Sequence, residues 1–157
     1  HGFALGKLGH SEEEIASYDK ALQLKPDLHE AWNSRGVALR GLGKKEEALT
    51  SYDKALQLKP DLHEVWNNRG IVLQQLGQAE EAIASYENAL HFKPDFCETW
   101  YNRGVALQQL ARYEEAITSY DKALQFKPDF HEALFQWGIA MQLLDRTAEG
   151  SSSEQSN

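Results

Sequence analysis

Four prolines, and no others, stand at 26, 60, 94 and 128, each 34 residues from the next. That fixed spacing constrains the 157-residue chain more than any other feature. A proline lacks a backbone N–H and pushes the preceding residue out of helical geometry, so each one must close a regular segment. The text around each proline also repeats: KPDLHEAWNSRG begins at Lys25, KPDLHEVWNNRG at Lys59 and KPDFCETWYNRG at Lys93. Between Pro26 and Pro60 the apolar residues Trp32, Leu39, Leu42, Leu49, Tyr52 and Leu56 recur at helical rather than strand intervals. Each period therefore holds two amphipathic helices.

The punctuation between helices follows the same period. Asp61 with Glu64 three residues later fits a capping box, and Asp27/Glu30, Asp95/Glu98 and Asp129/Glu132 repeat it. Gly43 and Gly77 fall where the first helix must stop and reverse, a place that favours left-handed backbone. Ala111 occupies that place in the next period, at a cost of about 1 kcal/mol. Second helices open on Glu46-Glu47, Glu80-Glu81 and Glu114-Glu115, whose charges suit the positive end of a helix dipole, and they close at Lys-Pro.

The residues Trp32, Gly36, Leu39, Gly43, Ala48, Tyr52, Ala55 and Pro60 make a unit that resembles the tetratricopeptide repeat, with its W-x2-L-G-x2-Y, A-x3-F, P pattern. Trp66 to Pro94 and Trp100 to Pro128 repeat it. The resemblance implies an all-α, right-handed α-solenoid of antiparallel helix pairs, with the solenoid over 1–146: a partial unit at 1–28, full units at 29–62, 63–96 and 97–130, and a partial unit at 131–146. Residues 147–157, rich in serine, read as a flexible polar tail. Gly36 and Ala48 belong where the two helices of a unit approach most closely, with Trp32 and Tyr52 filling the space beside them. Because one helix pair cannot cover its own apolar faces, each unit leans on the next.

Three departures from the family pattern stand out. Arg35, Arg69 and Arg103 occupy the place before the glycine where the family usually has leucine. That arc is partly buried, and a buried guanidinium needs partners. Asp19, Asp53 and Glu87 follow the tyrosine of each preceding second helix, so the pairs Arg35–Asp19, Arg69–Asp53 and Arg103–Glu87 are expected. Binding of a phosphate or carboxylate ligand is the rival reading for these arginines. In the last unit Trp137 replaces the arginine and leaves Asp121 to solvent. At the other end Glu14 stands where Ala48, Ala82 and Ala116 stand elsewhere, so the first unit is atypical and residues 1–8 are expected to fray.

Composition excludes several functions. A formal charge of -8 and a pI near 5.2 argue against gripping nucleic-acid backbones or anionic membranes. The single cysteine, Cys97, permits no intrachain disulfide, and no apolar run is long enough to span a bilayer, so we expect a cytoplasmic protein. The opening at His1, partway through a unit, suggests a piece of something longer. His29, His63, Cys97 and His131 share one repeat position, but first helices about 8 to 10 Å apart cannot converge four ligands on one metal ion. Neither a nucleophile with its base nor a phosphate-cradling glycine loop is present, so we expect no cofactor, no metal and no catalysis.

One arc of the first helix, which in the resembling family lines the concave groove, carries a repeating chemistry. Its residues are Asn33, Val37 and Arg40; Asn67, Ile71 and Gln74; Tyr101, Val105 and Gln108; and Phe135, Ile139 and Gln142, with Asn68 and Asn102 alongside. The arc also takes in Glu30, Glu64, Glu98 and Glu132. Amides donate and accept together and so match an extended peptide backbone, Val37, Ile71, Val105 and Ile139 form an apolar strip, and Tyr101 and Phe135 are the expected anchors. The bland alternative is a wet, helix-tolerant polar surface. The basic residues with which some members grip a C-terminal carboxylate are missing.

These features together point to a scaffold or adaptor that binds protein or extended peptide, with neither nucleic acid nor membrane as partner. Two other classes stay open: a substrate-recruiting segment of a larger enzyme such as a transferase or kinase, and a helical-repeat RNA-binding module. The final helix carries Leu134, Phe135, Trp137, Ile139, Met141, Leu143 and Leu144 with no second helix after it. We therefore expect either self-association through an exposed solenoid end or a longer native chain stacking there.

Overall fold

The turns around each proline set the helix boundaries. A computed structural model describes the backbone of residues 2–155 and the side chains of residues 7–155. Its helices are α1 (Gly2–Leu24), α2 (His29–Gly41), α3 (Lys45–Leu58), α4 (His63–Gln75), α5 (Ala79–Phe92), α6 (Cys97–Gln109), α7 (Tyr113–Phe126) and α8 (His131–Glu154). No strand occurs among the described residues. They gather into two compact bodies divided after Gln78, one holding α1 to α4 and the other α5 to α8.

Each tight reversal uses left-handed backbone, with φ of 78° at Gly43, 79° at Gly77 and 58° at Ala111. The Lys44 N–H then donates to the Leu39 carbonyl at 2.9 Å, and the Arg112 N–H does the same to Leu107. The longer turns at Lys-Pro-Asp behave differently from the sequence expectation. No capping box forms, because the N-caps are Leu28, Leu62, Phe96 and Phe130, none with a side-chain cap bond. In the turns beginning at Lys93 and Lys127, the N–H of Phe96 or Phe130 donates back to the lysine carbonyl, so the aspartate sits inside a β-turn, one residue too early to cap. A bond absent from the expectation anchors these turns instead. The indole N–H of Trp32 donates to the Pro26 carbonyl at 2.9 Å, and Trp66 and Trp100 do the same to Pro60 and Pro94 at 2.8 Å.

Within α2–α3 and α6–α7 the helices touch through glycine. A Cβ on Gly36 would stand 2.5 Å from the Tyr52 ring, and one on Gly104 would stand 2.5 Å from Tyr120. Both tyrosines, with Ala48, Ala55, Ala116 and Ala123, are 0% exposed. In the first body Leu39, Leu56, Val65 and Val72 extend this core, and Trp32, Leu62 and Trp66 pack against it.

The expected arginine pairs are all present. Arg35 reaches Asp19 at 2.7 Å, Arg69 reaches Asp53 at 2.8 Å and Arg103 reaches Glu87 at 3.1 Å. Each guanidinium also lies 5.9 Å from the ring centre of Trp32, Trp66 or Trp100. Arg35 and Arg103 donate a further bond to Ser51 and Ser119, at 2.7 and 2.6 Å. These serines are 0% exposed, so each guanidinium joins a buried hydroxyl to a half-exposed carboxylate.

Both terminal helices are longer than expected. α1 passes through Gly9 without the reversal that Gly43 and Gly77 make in register. The expected fraying of residues 1–8 falls largely on side chains outside the described residues. α8 continues past residue 146 to Glu154, so residues 147–154 are helix rather than irregular tail. Hydroxyls of Thr147, Ser151, Ser152 and Ser153 donate to carbonyls three residues back within the same helix.

Candidate functional site

The expected groove residues lie on α2, α4, α6 and α8, because a 34-residue period returns the same helix face each time. In the first body Val37 is 42% exposed, whereas Asn33, Arg40, Asn68, Ile71 and Gln74 are half-buried. Asn67 departs from the expectation. At 5% exposed it lies inside the body rather than on the strip, because the fifth repeat position is at the edge of the arc, where packing decides its exposure. The Asn68 amide donates to Asn33 at 3.5 Å, linking α4 to α2.

In the second body Tyr101, Asn102, Val105, Gln108 and Ile139 are half-buried, Gln142 is exposed and Phe135 is 69% exposed. Tyr101, expected as an anchor, packs its ring 5.1 Å from Phe130 and 6.1 Å from Tyr120, so part of its surface is taken up by the core. The Gln108 amide works on both sides: its oxygen accepts from the Tyr120 hydroxyl at 2.8 Å, and its nitrogen donates to Gln136 at 3.4 Å. Gln136 was not among the expected site residues. Its signal in the sequence was the sixth position of each unit, which is polar throughout as Ser34, Asn68, Asn102 and Gln136.

Position by position the two strips differ in one electrostatic detail. Arg40 occupies the place of Gln108, and its Nη1 is buried without a hydrogen-bond partner, as is the hydroxyl of Tyr52. Burial raises the Tyr52 pKa above that of an ordinary phenol, and the Arg40 charge partly offsets the rise. Tyr120 is raised further by burial, with neighbouring Tyr101 adding to it. Tyr101 is raised by burial and by the Glu132 carboxylate.

At the N-terminal edge of the α2/α4 strip a recess of about 600 Å³ opens, lined among others by His29, Glu30, Asn33, Lys59, His63 and Glu64. Asp61 brings the carboxylates there to three against one lysine, so its charge is acidic. Among the described residues no group of three or more metal-ligating side chains could hold an ion. No described helix is long and apolar enough to cross a membrane. Cys97 is half-buried at the first residue of α6.

Comparison with known proteins extends these observations. The tetratricopeptide repeat model matches residues 97–130, and a second model of the repeat matches 38–77 and 72–111. The protein prenyltransferase alpha subunit repeat matches 11–42. No curated protein matches the chain. Among solved structures the fold is similar to that of MamA, with a TM-score of 0.84 at 21% identity over 94% of this chain and 80% of that one. It is also similar to YrrB, described as a TPR protein with an unusual peptide-binding site, with a TM-score of 0.75 at 22% identity over 93% of this chain and 80% of that one. The first TPR of Spaghetti (RPAP3), bound to the HSP90 peptide SRMEEVD, gives a TM-score of 0.73 at 23% identity over 74% of this chain and 93% of that one. Models of the repeat thus run from residue 38 to residue 130, a range that takes in the whole of α3 to α7; the chain belongs to the tetratricopeptide repeat family, and its fold is that family's all-α solenoid of antiparallel helix pairs.

Proposed function

We propose that this chain is a protein-binding scaffold that holds an extended, neutral-to-basic peptide along the α2/α4 strip, with no catalysis of its own. The observation that carries the reading is the recurrence of one surface chemistry. At each return of the period an apolar residue (Val37, Ile71, Val105, Ile139) stays open or half-open to solvent beside amides. Apolar contacts spaced along a strip, with amides between them to meet a peptide backbone, are what an extended segment requires. Peptide binding by YrrB and by the RPAP3 repeat supports the class of ligand. The charge supports a different sequence from SRMEEVD, because the recess beside the strip holds Glu30, Asp61 and Glu64 against Lys59, and the whole chain carries -8.

The test is a peptide array followed by fluorescence anisotropy on the peptides it selects. Selected peptides should carry Lys or Arg near apolar residues, and Val37→Glu combined with Ile71→Glu should weaken them at least tenfold. Acidic SRMEEVD should not bind. Peptides selected equally by wild type and variant would place the binding surface elsewhere and remove the proposal. Asn67 is left intact in this test because its burial would confound binding with folding.

A further inference from the structure

Charge is not spread evenly along the α2/α4 strip. Glu30, Asn33, Val37 and Arg40 on α2, and Glu64, Ile71 and Gln74 on α4, recur at helical steps, so each helix carries them in a line along one face. The recess of about 600 Å³ takes up the start of that line, where Glu30, Asp61 and Glu64 stand against Lys59. With His29 and His63 counted as neutral, these side chains sum to about -2, and the positive ends of two helix dipoles, roughly +0.5 each, bring the recess to about -1. A charge of that size suits one cation rather than a run of them. At the other end of the line, three residues past Val37, Arg40 turns a second cation away. Between the two ends lie Asn33, which accepts from Asn68 at 3.5 Å, and then the apolar pair Val37 and Ile71.

Val37 and Ile71 stand seven residues beyond Glu30 and Glu64, which is about 10 Å along the helix axes. A ligand lying along the groove between α2 and α4 must cover that distance with both of its reading side chains turned to the protein. In a β-strand two residues cover only about 7 Å and four about 13 Å, while residues three apart point to opposite faces. In the polyproline II conformation three residues complete one turn and rise about 9 Å, so side chains three apart point the same way at nearly the right separation. Resting on the peptide reading above, we propose that the α2/α4 strip selects a polyproline II segment with Lys or Arg three residues from a large aliphatic residue. The cation enters the recess beside Glu30 and Glu64, and the aliphatic side chain lies on Val37 and Ile71. Polyproline II has no internal hydrogen bonds, so its carbonyls can accept from the amides of the strip. Either direction of the ligand chain meets the spacing.

Fluorescein-labelled GKPLG, GKPPLG and GKPPPLG place lysine and leucine two, three and four residues apart in one conformation, and GLPKG, GLPPKG and GLPPPKG do so in the opposite direction. In fluorescence anisotropy the three-residue member of at least one series should bind about tenfold more tightly than its two companions. The same peptide with Gly-Gly in place of Pro-Pro keeps the spacing but loses the conformation, and it should bind more weakly. Glu30→Gln combined with Glu64→Gln, both at exposed positions, should weaken the selected peptide about tenfold and leave its lysine-to-glutamine counterpart unchanged. Helical circular dichroism confirms that the variant is folded. No measurable binding, equal affinity across the spacings, preference for two or four residues, tighter binding of the glycine peptide, or a glutamine variant that binds as wild type does overturns the proposal. Val37→Glu with Ile71→Glu separates the two readings. If it weakens these peptides while their spacing has no effect, the peptide reading stands and the spacing falls; if it changes nothing, both fall.

Discussion

The pair α2–α3 in the first body and the pair α6–α7 in the second are the same device with one altered joint. Both seat a tyrosine on a glycine, and both run an arginine from a buried serine to a half-exposed acid, over a tryptophan ring. They differ at the tyrosine hydroxyl. Tyr120 donates to Gln108, while Tyr52 faces the position of Arg40 and has no partner. Packing in these two pairs is thus fixed by a glycine that leaves no room for a side chain, and polar satisfaction is settled separately, one side chain at a time.

The most severe way to break the equivalence of the two pairs is to fill the glycine seat. Val at 36 or at 104 would drive its side chain into a ring already 2.5 Å from the first carbon, which should cost about 3 kcal/mol in either pair. Urea denaturation of Gly36→Val and Gly104→Val measures it. Losses that differ by more than about 1 kcal/mol would mean that the two seats are not alike.

Alkaline pH should come next in effect. Burial holds the phenols of Tyr52, Tyr101 and Tyr120 above their ordinary value of 10.0. The unfolded chain releases those protons from about pH 10 while the folded chain keeps them, so stability is whole below pH 10 and falls as the pH climbs through the folded values. The thermal midpoint should hold up to about pH 10 and drop from there to pH 11.5, and Tyr120→Phe should make that fall shallower. An equally steep fall in the variant would assign the effect to other groups.

The arginine joints should follow. The carboxylates of Asp19 and Glu87 are about half exposed, so the ion pairs themselves add little. Arg35→Met and Arg103→Met instead strip a donor from a serine that is 0% exposed, which should cost about 1 to 3 kcal/mol. Adding Ser51→Ala to Arg35→Met should recover part of that loss in the same denaturation assay. No recovery would move the weight onto the carboxylate.

Period, helix pairs, glycine seats and arginine partners were legible in the sequence because both members of each contact recur at the same interval. The tryptophan-to-proline bonds were equally periodic, since Trp32, Trp66 and Trp100 each follow a proline by six residues, but a ring nitrogen's target cannot be seen in spacing alone. Asp-x-x-Glu read as a capping box because the motif is present. The turn places the aspartate one residue before the cap, and only backbone geometry shows that. Asn33, Asn67, Tyr101 and Phe135 share one position, yet their exposure runs from 5% at Asn67 to 69% at Phe135. A helix wheel gives every repeat the same face, whereas the neighbours that cover it change along the chain. The ends of α1 and α8 were illegible for the same reason: a helix stops where packing or a turn stops it, and neither lies within the repeated text.

The smallest effect is also the one aimed most directly at the altered joint. Replacing Arg40 by Gln gives the first body what Gln108 gives the second, a neutral acceptor within reach of the tyrosine hydroxyl, and it removes the buried unpaired Nη1. Two orphaned polar groups would become one hydrogen bond, so Arg40→Gln should stabilise the chain by about 1 kcal/mol at neutral pH, the net value of a typical bond of this kind. The reverse exchange, Gln108→Arg, should cost about the same and orphan Tyr120. Placing both changes in one chain should then return stability close to wild type, because the altered joint has only moved from one body to the other. If Arg40→Gln is neutral or destabilising in urea denaturation, the Tyr52 hydroxyl is already satisfied, and the contrast between the two pairs reduces to the charge at position 40.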